Sequence, residues 1–232
     1  MLGIDVGGTF TDIVAINDDG QVFFAKTPST PEDQSIGVAN GIKRILADLN
    51  LRPDNVTAIA HGTTVATNTL LERSGAKTAL ITTEGFRDVL HIGRQSRPQL
   101  YDLRAQRPEP LVDRHWRKEA AERTLHTGEI RKPLDEAALA ATVRELKAEG
   151  IESIAVCFLH AYANPANEER ALAVIRAEAP DLPVSVSSDI LPEFREFERM
   201  NTTVLNAYVQ PGMENYVSRL SGRIKELGVN AP

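Results

Sequence analysis

The feature that most constrains the fold lies at the start of the chain, where two short apolar segments flank a pair of glycines. Residues 2–6 and 12–16 are predicted to form strands. Gly7 and Gly8 stand between them, and without side chains they allow a reversal too tight for other residues. A second turn signal at 17–20 precedes a third predicted strand at 21–26. The chain is therefore predicted to open in an antiparallel β-meander.

Downstream of the meander, helical and strand-like patterns alternate, which predicts an α/β fold with a mixed sheet. A helix is predicted from Pro31-Glu32-Asp33 to about Leu49. A strand at 56–60 precedes a turn at 61–64 and a helix that ends near Gly75. The remaining predictions are strands at 78–82, 153–159 and 184–187, helices at 134–149 and 167–179, and an irregular segment from Arg94 to Lys118 that contains Pro98, Pro108 and Pro110.

The last part of the chain is predicted to be helical, with a break near Pro211-Gly212. Beyond the break, one face of the helix carries an apolar stripe formed by Met213, Tyr216, Val217, Leu220, Ile224 and Leu227. Such a stripe needs a covering surface, so we expect either that it packs back on its own domain or that the chain is cut before its fold is complete. The predicted division of the chain is an α/β region at 1–190 and the helical start of a following domain at 191–232.

Composition narrows the class of protein. Hydrophobic residues make up 42% and charged residues 25% of the 232 residues, as in ordinary globular proteins. The net charge of −6 argues against an unaided nucleic-acid binder. The longest apolar run, 154–159, is too short to cross a bilayer, and a strand beginning at Leu2 leaves no room for a signal peptide. A cytoplasmic protein is therefore expected, with Cys157 as a buried apolar side chain.

The segment from Gly3 to Asp12 has the composition of an anion site. It is neither a Walker loop nor a dinucleotide fingerprint, because no Gly-Lys-Ser/Thr follows and a strand comes next. Backbone N–H groups at Gly7 and Gly8 can approach an anion closely, and Thr9 and Thr11 add hydroxyl donors. Asp5 would repel a phosphate unless a divalent cation lay between them, so the pattern predicts Mg²⁺ held by Asp5 directly or through water. The alternative is a plain hairpin turn in which Asp5 and Thr9 only cap local backbone.

This segment resembles the first phosphate motif of the actin, sugar-kinase and heat-shock ATPase superfamily, which has a ribonuclease H-like fold. Further motifs of the sequence lie at 61–68, 84–90, 93–95, Pro98 with 100–103, 188–193, 196–199 and 206–211. Together with 3–12, these segments resemble the N-terminal part of the large, A-type subunits of N-methylhydantoinase, 5-oxoprolinase and the ATP-dependent ketone carboxylases. Members of that family are several times longer, so the fold is expected to be incomplete without a C-terminal half.

The resemblance implies an ATP-dependent hydrolase that phosphorylates the carbonyl oxygen of a cyclic amide, such as a hydantoin, 5-oxoproline or another lactam, for ring opening. It implies ATP and Mg²⁺ as cofactors and a B-type subunit as partner. A ketone carboxylase subunit, a sugar or metabolite kinase of the same superfamily, and a non-catalytic truncated module are the alternatives. At the glycine turn we expect catalytic roles for Asp5 and Asp12 and cofactor contacts from Gly7, Gly8, Thr9, Phe10 and Thr11.

Residues outside the turn are further candidates. His61 is interpreted either as a catalytic base or substrate contact, or as a half-buried, hydrogen-bonded histidine. Thr63 and Thr64 are predicted either to cap the next helix or to bind substrate, and Asn68 lies on the same helical face as Thr64. Arg94 opens the arginine-rich segment, which is interpreted as a solvated loop, as a lid for an anionic substrate group, or as a docking surface.

Overall fold

Three antiparallel strands open the chain, which confirms the predicted β-meander. The computed structural model describes residues 1–30, 32–96, 99, 101–102, 104–105 and 107–231. The strands are β1 (Leu2–Val6), β2 (Phe10–Ile16) and β3 (Val22–Pro28). A fourth strand, β4 (Ile59–Thr63), pairs with β1 in parallel, so the sheet has the order β3-β2-β1-β4. The predicted α/β fold with a mixed sheet is therefore confirmed.

This sheet buries one face and leaves the other exposed. Ile4, Ile13 and Ala25 point to the buried face and pack against the helix α1 (Gln34–Asp48). The helix approaches so closely that a Cβ on Gly41 would lie 2.2 Å from Cδ1 of Ile13, so only glycine fits there. Asp33 caps the helix by accepting a hydrogen bond from the backbone N of Ser35. Neighbouring strand residues alternate in direction, so the polar residues between the core positions point to the exposed face.

The position of β4 differs from the prediction. The strand begins at Ile59 rather than 56, after a short 3₁₀ turn at Pro53–Asn55, and it includes the residues at 61–63 that were predicted to form a turn. Parallel pairing with β1, from Leu2 opposite Ile59 to Val6 opposite Thr63, decides these limits. The following helix, α2 (Val65–Leu71), ends before the predicted limit near Gly75.

The second sheet is parallel throughout and contains, in spatial order, β10 (Val184–Val186), β9 (Ser153–Cys157), β5 (Thr78–Thr83) and β6 (Arg117–Ala120). Two helices pack on one of its faces, where Ile81, Val143 and Ile175 are fully buried. A 3₁₀ turn at Arg114–Trp116 leads into the edge strand β6, which lies partly inside the segment predicted to be irregular. The elements of this region are β5 (Thr78–Thr83), α3 (Val89–Ile92), β6 (Arg117–Ala120), β7 (Arg123–Thr124), β8 (Ile130–Lys132), α4 (Glu136–Ala148), β9 (Ser153–Cys157), α5 (Ala166–Glu178), β10 (Val184–Val186) and α6 (Ser187–Ile190).

The last helix, α7 (Glu196–Glu226), runs unbroken through Pro211, so the predicted break is wrong. Proline removes one backbone hydrogen bond and strains the preceding turn, but packing on both sides of it outweighs this cost. Met200 and Val204 lie in a buried cluster with Cys157, which is buried as predicted. Tyr216 and Leu220 lie in the core beneath the first sheet, with Met213, Ile224 and Leu227 packed against it. The predicted apolar stripe includes Val217, but this residue is 51% exposed and lies outside the buried face of the helix.

The chain divides into two compact units. One consists of residues 1–74 together with the residues from Gly212 onward, and the other of Gly75–Pro211. These limits differ from the predicted boundary between two domains at residues 190 and 191. That domain division stays a prediction. Within the described ranges, no helix is long and apolar enough to cross a membrane. The predictions that involve Pro31, Arg97, Pro98, Leu100, Leu103 and Pro232 fall outside the described residues.

Candidate functional site

The glycine turn between β1 and β2 presents two unpaired backbone donors. The turn is closed by a hydrogen bond from the N of Gly7 to the O of Phe10, 3.0 Å long, and the backbone N of Ser29 donates to the O of Thr9. The predicted anion contact of the Gly7 amide is therefore wrong, because this N–H is used within the turn. The amide N–H groups of Gly8 and Thr9 have no acceptor within the described part of the chain. Gly8 and Thr9 are both exposed. Adjacent backbone amides without an acceptor in the described structure are available to bind an anion.

Two carboxylates lie side by side next to the turn. Asp5 of β1 and Asp12 of β2 are directly opposite each other in the antiparallel register, so both point to the exposed face of the sheet. A Cβ on Gly62 of β4 would lie 3.3 Å from Oδ1 of Asp5, which shows that the carboxylate extends over this glycine. Among the described residues, Asp5 has no cationic partner within 4 Å.

This donor set fits Mg²⁺. The described residues contain no cluster of three or more His, Cys, Asp or Glu side chains that could enclose a metal. Mg²⁺ commonly keeps several waters and is bound by one or two carboxylates plus phosphate oxygens, which Asp5 and Asp12 beside an anion-binding turn can provide.

Lys26 is a site residue that sequence analysis missed. Its Nζ lies 3.0 Å from Oδ1 of Asp12 and 4.9 Å from the centre of the Phe10 ring, which is 45% exposed. Lys26 lies opposite Asp12 in the β2–β3 pairing, so the register of the meander is the signal that identifies it. The ion pair leaves Asp5 as the less neutralised of the two carboxylates.

The predicted ligand contact of the Thr11 hydroxyl is not supported. Thr11 is fully buried on the opposite face from Asp12, because neighbouring strand residues alternate in direction. Its Oγ1 is hydrogen-bonded to the hydroxyl of Ser29, 3.1 Å away, and Ser29 in turn donates to the O of Gly7. Thr11 therefore supports the turn from beneath, in contrast to Thr9, which stands exposed on it.

His61 also lies on the buried side of the sheet. It follows the parallel register of β4, in which Gly62 is opposite Asp5, so His61 and Asp5 point to opposite faces. The Nε2 of His61 is 2.7 Å from the hydroxyl of Tyr216. Burial lowers the pKa of the imidazole below its ordinary value, despite the opposing effects of the Ile4 backbone and the Asp5 charge. The structure thus places His61 in the half-buried, hydrogen-bonded environment that was the alternative to catalysis.

The predicted substrate contacts near α2 separate into two groups. The hydroxyl of Thr63 accepts a hydrogen bond from the N of Val65, and that of Thr64 donates to the O of Val6, so both brace the start of α2. Asn68 instead lines an open cleft of about 420 Å³ beside Gly8. Its Nδ2 lies 3.9 Å from the point where a Cβ on Gly8 would stand. Thr69, Gln34 and Arg219 also line this cleft.

Arg94 belongs to the other compact unit. Its guanidinium forms an ion pair with Glu198 at the start of α7. The arginine is 64% exposed, so the pair leaves much of its surface open to solvent. A substrate-binding role for Arg94 stays a prediction.

Comparisons with known proteins show what the chain as a whole is similar to. Residues 1–179 match the family model of the hydantoinase/oxoprolinase N-terminal region. The chain is 37% identical to the caprolactamase alpha subunit of Pseudomonas jessenii over its whole length and 34% of that protein. It is 34% identical to the acetophenone carboxylase gamma subunit of Aromatoleum aromaticum, over 98% of this chain and 33% of that protein.

Two solved structures share the fold. The crystal structure of the ATP-dependent caprolactamase from Pseudomonas jessenii matches with a TM-score of 0.91 and 36% identity, over the whole of this chain and 34% of that one. A nucleotide-free acetone carboxylase matches with a TM-score of 0.87 and 30% identity, over 98% of this chain and 34% of that one. The chain thus spans about a third of the length of these relatives.

Proposed function

Because the chain belongs to the hydantoinase/oxoprolinase family through its N-terminal region, we propose that it forms the Mg²⁺–phosphate end of an enzyme that activates a cyclic amide with ATP. The observation that supports this most strongly is the pair of unpaired amides at Gly8 and Thr9 beside the exposed carboxylates of Asp5 and Asp12. A lactam is the proposed substrate class because one relative is an ATP-dependent caprolactamase.

The proposed chemistry follows from the stability of amides. Resonance between nitrogen and carbonyl makes an amide resistant to water. Transfer of the γ-phosphoryl group of ATP to the carbonyl oxygen breaks that resonance, gives ADP, and leaves a carbon that water can attack. Addition of water and cleavage of the C–N bond then open the ring and release phosphate. Catalysis of such a transfer consists mainly of positioning and charge neutralisation.

The residues of the turn have defined parts in this proposal. The amides of Gly8 and Thr9 donate to a phosphate oxygen, and the hydroxyl of Thr9 adds a third donor. Asp5 and Asp12 hold Mg²⁺ directly or through water, and the ion would neutralise charge on the phosphates. Lys26 orients Asp12 through its ion pair. The cleft beside Gly8, with Asn68 on its wall, is the proposed place for the amide substrate.

Carboxylation of a ketone is the second candidate function, because the nucleotide-free acetone carboxylase shares this fold. The same turn would hold the phosphates, but a ketone oxygen would accept the phosphoryl group, and bicarbonate would supply the carbon of the new carboxyl group as phosphate is released. A B-type partner subunit is proposed for either activity.

The test is to express the complete gene with its neighbour and to measure phosphate release with lactams, cyclic imides and ketones, the ketones with bicarbonate. The proposal expects lactam or imide stimulation, which Asp5→Ala abolishes. Stimulation by ketones alone would favour the carboxylase. A wild-type rate in Asp5→Ala would contradict the Mg²⁺ assignment. The 232-residue chain alone should show no steady-state ATP hydrolysis, since it spans only a third of its relatives.

A further inference from the structure

The second compact unit contains an open pocket that the proposed function does not use. The pocket has a volume of about 360 Å³. It is lined by Arg87, Arg114, His115, Arg117, Lys118 and Glu119. Four of these side chains carry a positive charge at neutral pH and one carries a negative charge, so the lining favours an anion.

Ion pairs hold part of this lining in place. Arg114 binds Asp88 with two parallel hydrogen bonds of 2.9 Å. Lys118 Nζ lies 3.0 Å from a carboxylate oxygen of Glu145 on α4. Glu119 accepts a hydrogen bond from the backbone N of Gly85. These contacts order the side chains of the pocket without filling it.

Two arginines of the pocket, Arg87 and Arg117, lack a close carboxylate partner for their full set of N–H groups among the described residues. Arg87 forms no hydrogen bond or ion pair within 4 Å among the described residues, although its charge acts on Asp88. Arg117 is only 4% exposed, and its Nε donates to the O of Val112. The Nη1 of Arg117 has no hydrogen-bond partner in the described structure, and the nearest carboxylate oxygen, on Asp88, is 3.9 Å away. Asp88 thus serves both Arg114 and Arg117, and the charges of Asp113 and Glu109 also act on Arg117. Within the lining itself, four positive side chains face one negative one.

We infer that this pocket binds the phosphate group of a small molecule. A guanidinium group can bind phosphate through two parallel N–H···O hydrogen bonds. The N–H groups of Arg87 are available for such hydrogen bonds. Asp88 occupies Nε and Nη2 of Arg114, which leaves the Nη1 group of Arg114 for a ligand. The charge of the buried Arg117 adds to the positive electrostatic potential of the pocket. One lining residue, Arg87, lies in the segment 84–90, and the other five lie at 114–119, away from the glycine turn in the sequence. The inference is independent of the proposed ATP chemistry.

The test is a titration of the 232-residue chain with inorganic phosphate and with glycerol phosphate at constant ionic strength. Amide shifts in the ¹⁵N NMR spectrum show where each ligand binds. We expect saturable shifts at residues 84–90 and 114–119, and a loss of affinity of about tenfold or more in Arg87→Ala, because a charge-assisted contact is removed. Arg170→Ala is the matched control, since it removes one exposed charge from α5.

Each outcome decides the inference. Tighter binding of glycerol phosphate identifies a phosphorylated metabolite as the ligand, and equal or tighter binding of inorganic phosphate identifies the free ion. Shifts confined to Gly8 and Thr9 that persist in Arg87→Ala would place the anion at the glycine turn and overturn the inference. Linear, non-saturable shifts, or equal losses in Arg87→Ala and Arg170→Ala, would also overturn it. The thermal midpoint of Arg87→Ala should match that of the wild type, because the side chain is not part of a buried cluster.

Discussion

The sheets of the two compact units differ in how many of their faces are buried. In the second unit every residue of β5 and β9 is buried, with helices on both sides. In the first unit β1 and β2 alternate between buried and exposed positions, and the exposed side carries Asp5 and Asp12. A sheet with one open face can present charged groups to a ligand from that face, whereas a parallel sheet covered on both faces can present them only at the ends of its strands.

Carboxylates in the two units show the same difference. Glu168 in the second unit is fully buried and accepts hydrogen bonds from the N of Phe158, the hydroxyl of Ser187 and the N of Ser188. Burial raises the pKa of Glu168 above its ordinary value. Its oxygens are used within the protein and are not available to a ligand. Asp5 and Asp12 are exposed, so their oxygens are accessible to a ligand.

The largest expected effect is on the free energy of unfolding, and it should differ between substitutions in the two sheets. Ile81→Ala in β5 removes a fully buried side chain and should lower the free energy of unfolding by about 2–5 kcal/mol. Val22→Ala on the open face of β3, where the side chain is 47% exposed, should cost less than about 1 kcal/mol. Urea denaturation measures both. Equal losses would contradict the difference between the sheets.

The next effect is on activity. In the complete enzyme, Asp5→Ala should lower substrate-stimulated phosphate release by about two to three orders of magnitude, the usual cost of losing a group that stabilises transition-state charge. Circular dichroism should show an unchanged melting curve, since Asp5 is exposed. A large loss of stability would instead assign Asp5 a structural role.

A smaller effect tests the geometry around Asp5. Gly62→Ala places a Cβ 3.3 Å from Oδ1 of Asp5, so the carboxylate has to shift by a few tenths of an ångström. We expect the Mg²⁺ concentration at half-maximal activity to rise by about tenfold, which corresponds to about 1.4 kcal/mol. Gly3→Ala is the matched control on β1, because its Cβ would meet Val14 at an ordinary 3.9 Å. An equal Mg²⁺ concentration at half-maximal activity in the two variants would show that the space left by Gly62 does not affect Asp5.

The smallest effect concerns the pH dependence of stability. Because burial lowers the pKa of His61, the unfolded chain binds a proton more readily than the folded one. The stability contributed by neutral His61 is present above about pH 6.5, the ordinary histidine value, and is lost as pH falls through the lower folded pKa. Thermal melts of His61→Gln between pH 7.5 and 5 should show a smaller decrease than the wild type. Parallel decreases would show that His61 does not titrate in this range.

Sequence patterns predicted the features that depend on local chemistry. The meander follows from Gly7, Gly8 and the second turn at 17–20, and the capped start of α1 follows from Asp33. These features arise within a few residues of the chain, where local rules apply.

The errors arose where distant parts of the chain meet. The limits of β4 depend on its pairing with β1, and the same pairing turns His61 away from Asp5. The continuity of α7 through Pro211 depends on packing at both of its ends. Lys26 pairs with Asp12 through a register that no single segment encodes.

The most direct test of the central claim is a crystal structure of the complete enzyme with Mg²⁺ and a non-hydrolysable ATP analogue. We expect a phosphate oxygen about 3 Å from the amide nitrogen of Gly8 or Thr9, with Mg²⁺ bound to Asp5 directly or through one water. A triphosphate seated more than ~10 Å from both amides, beyond the reach of a water-bridged contact, would contradict the account.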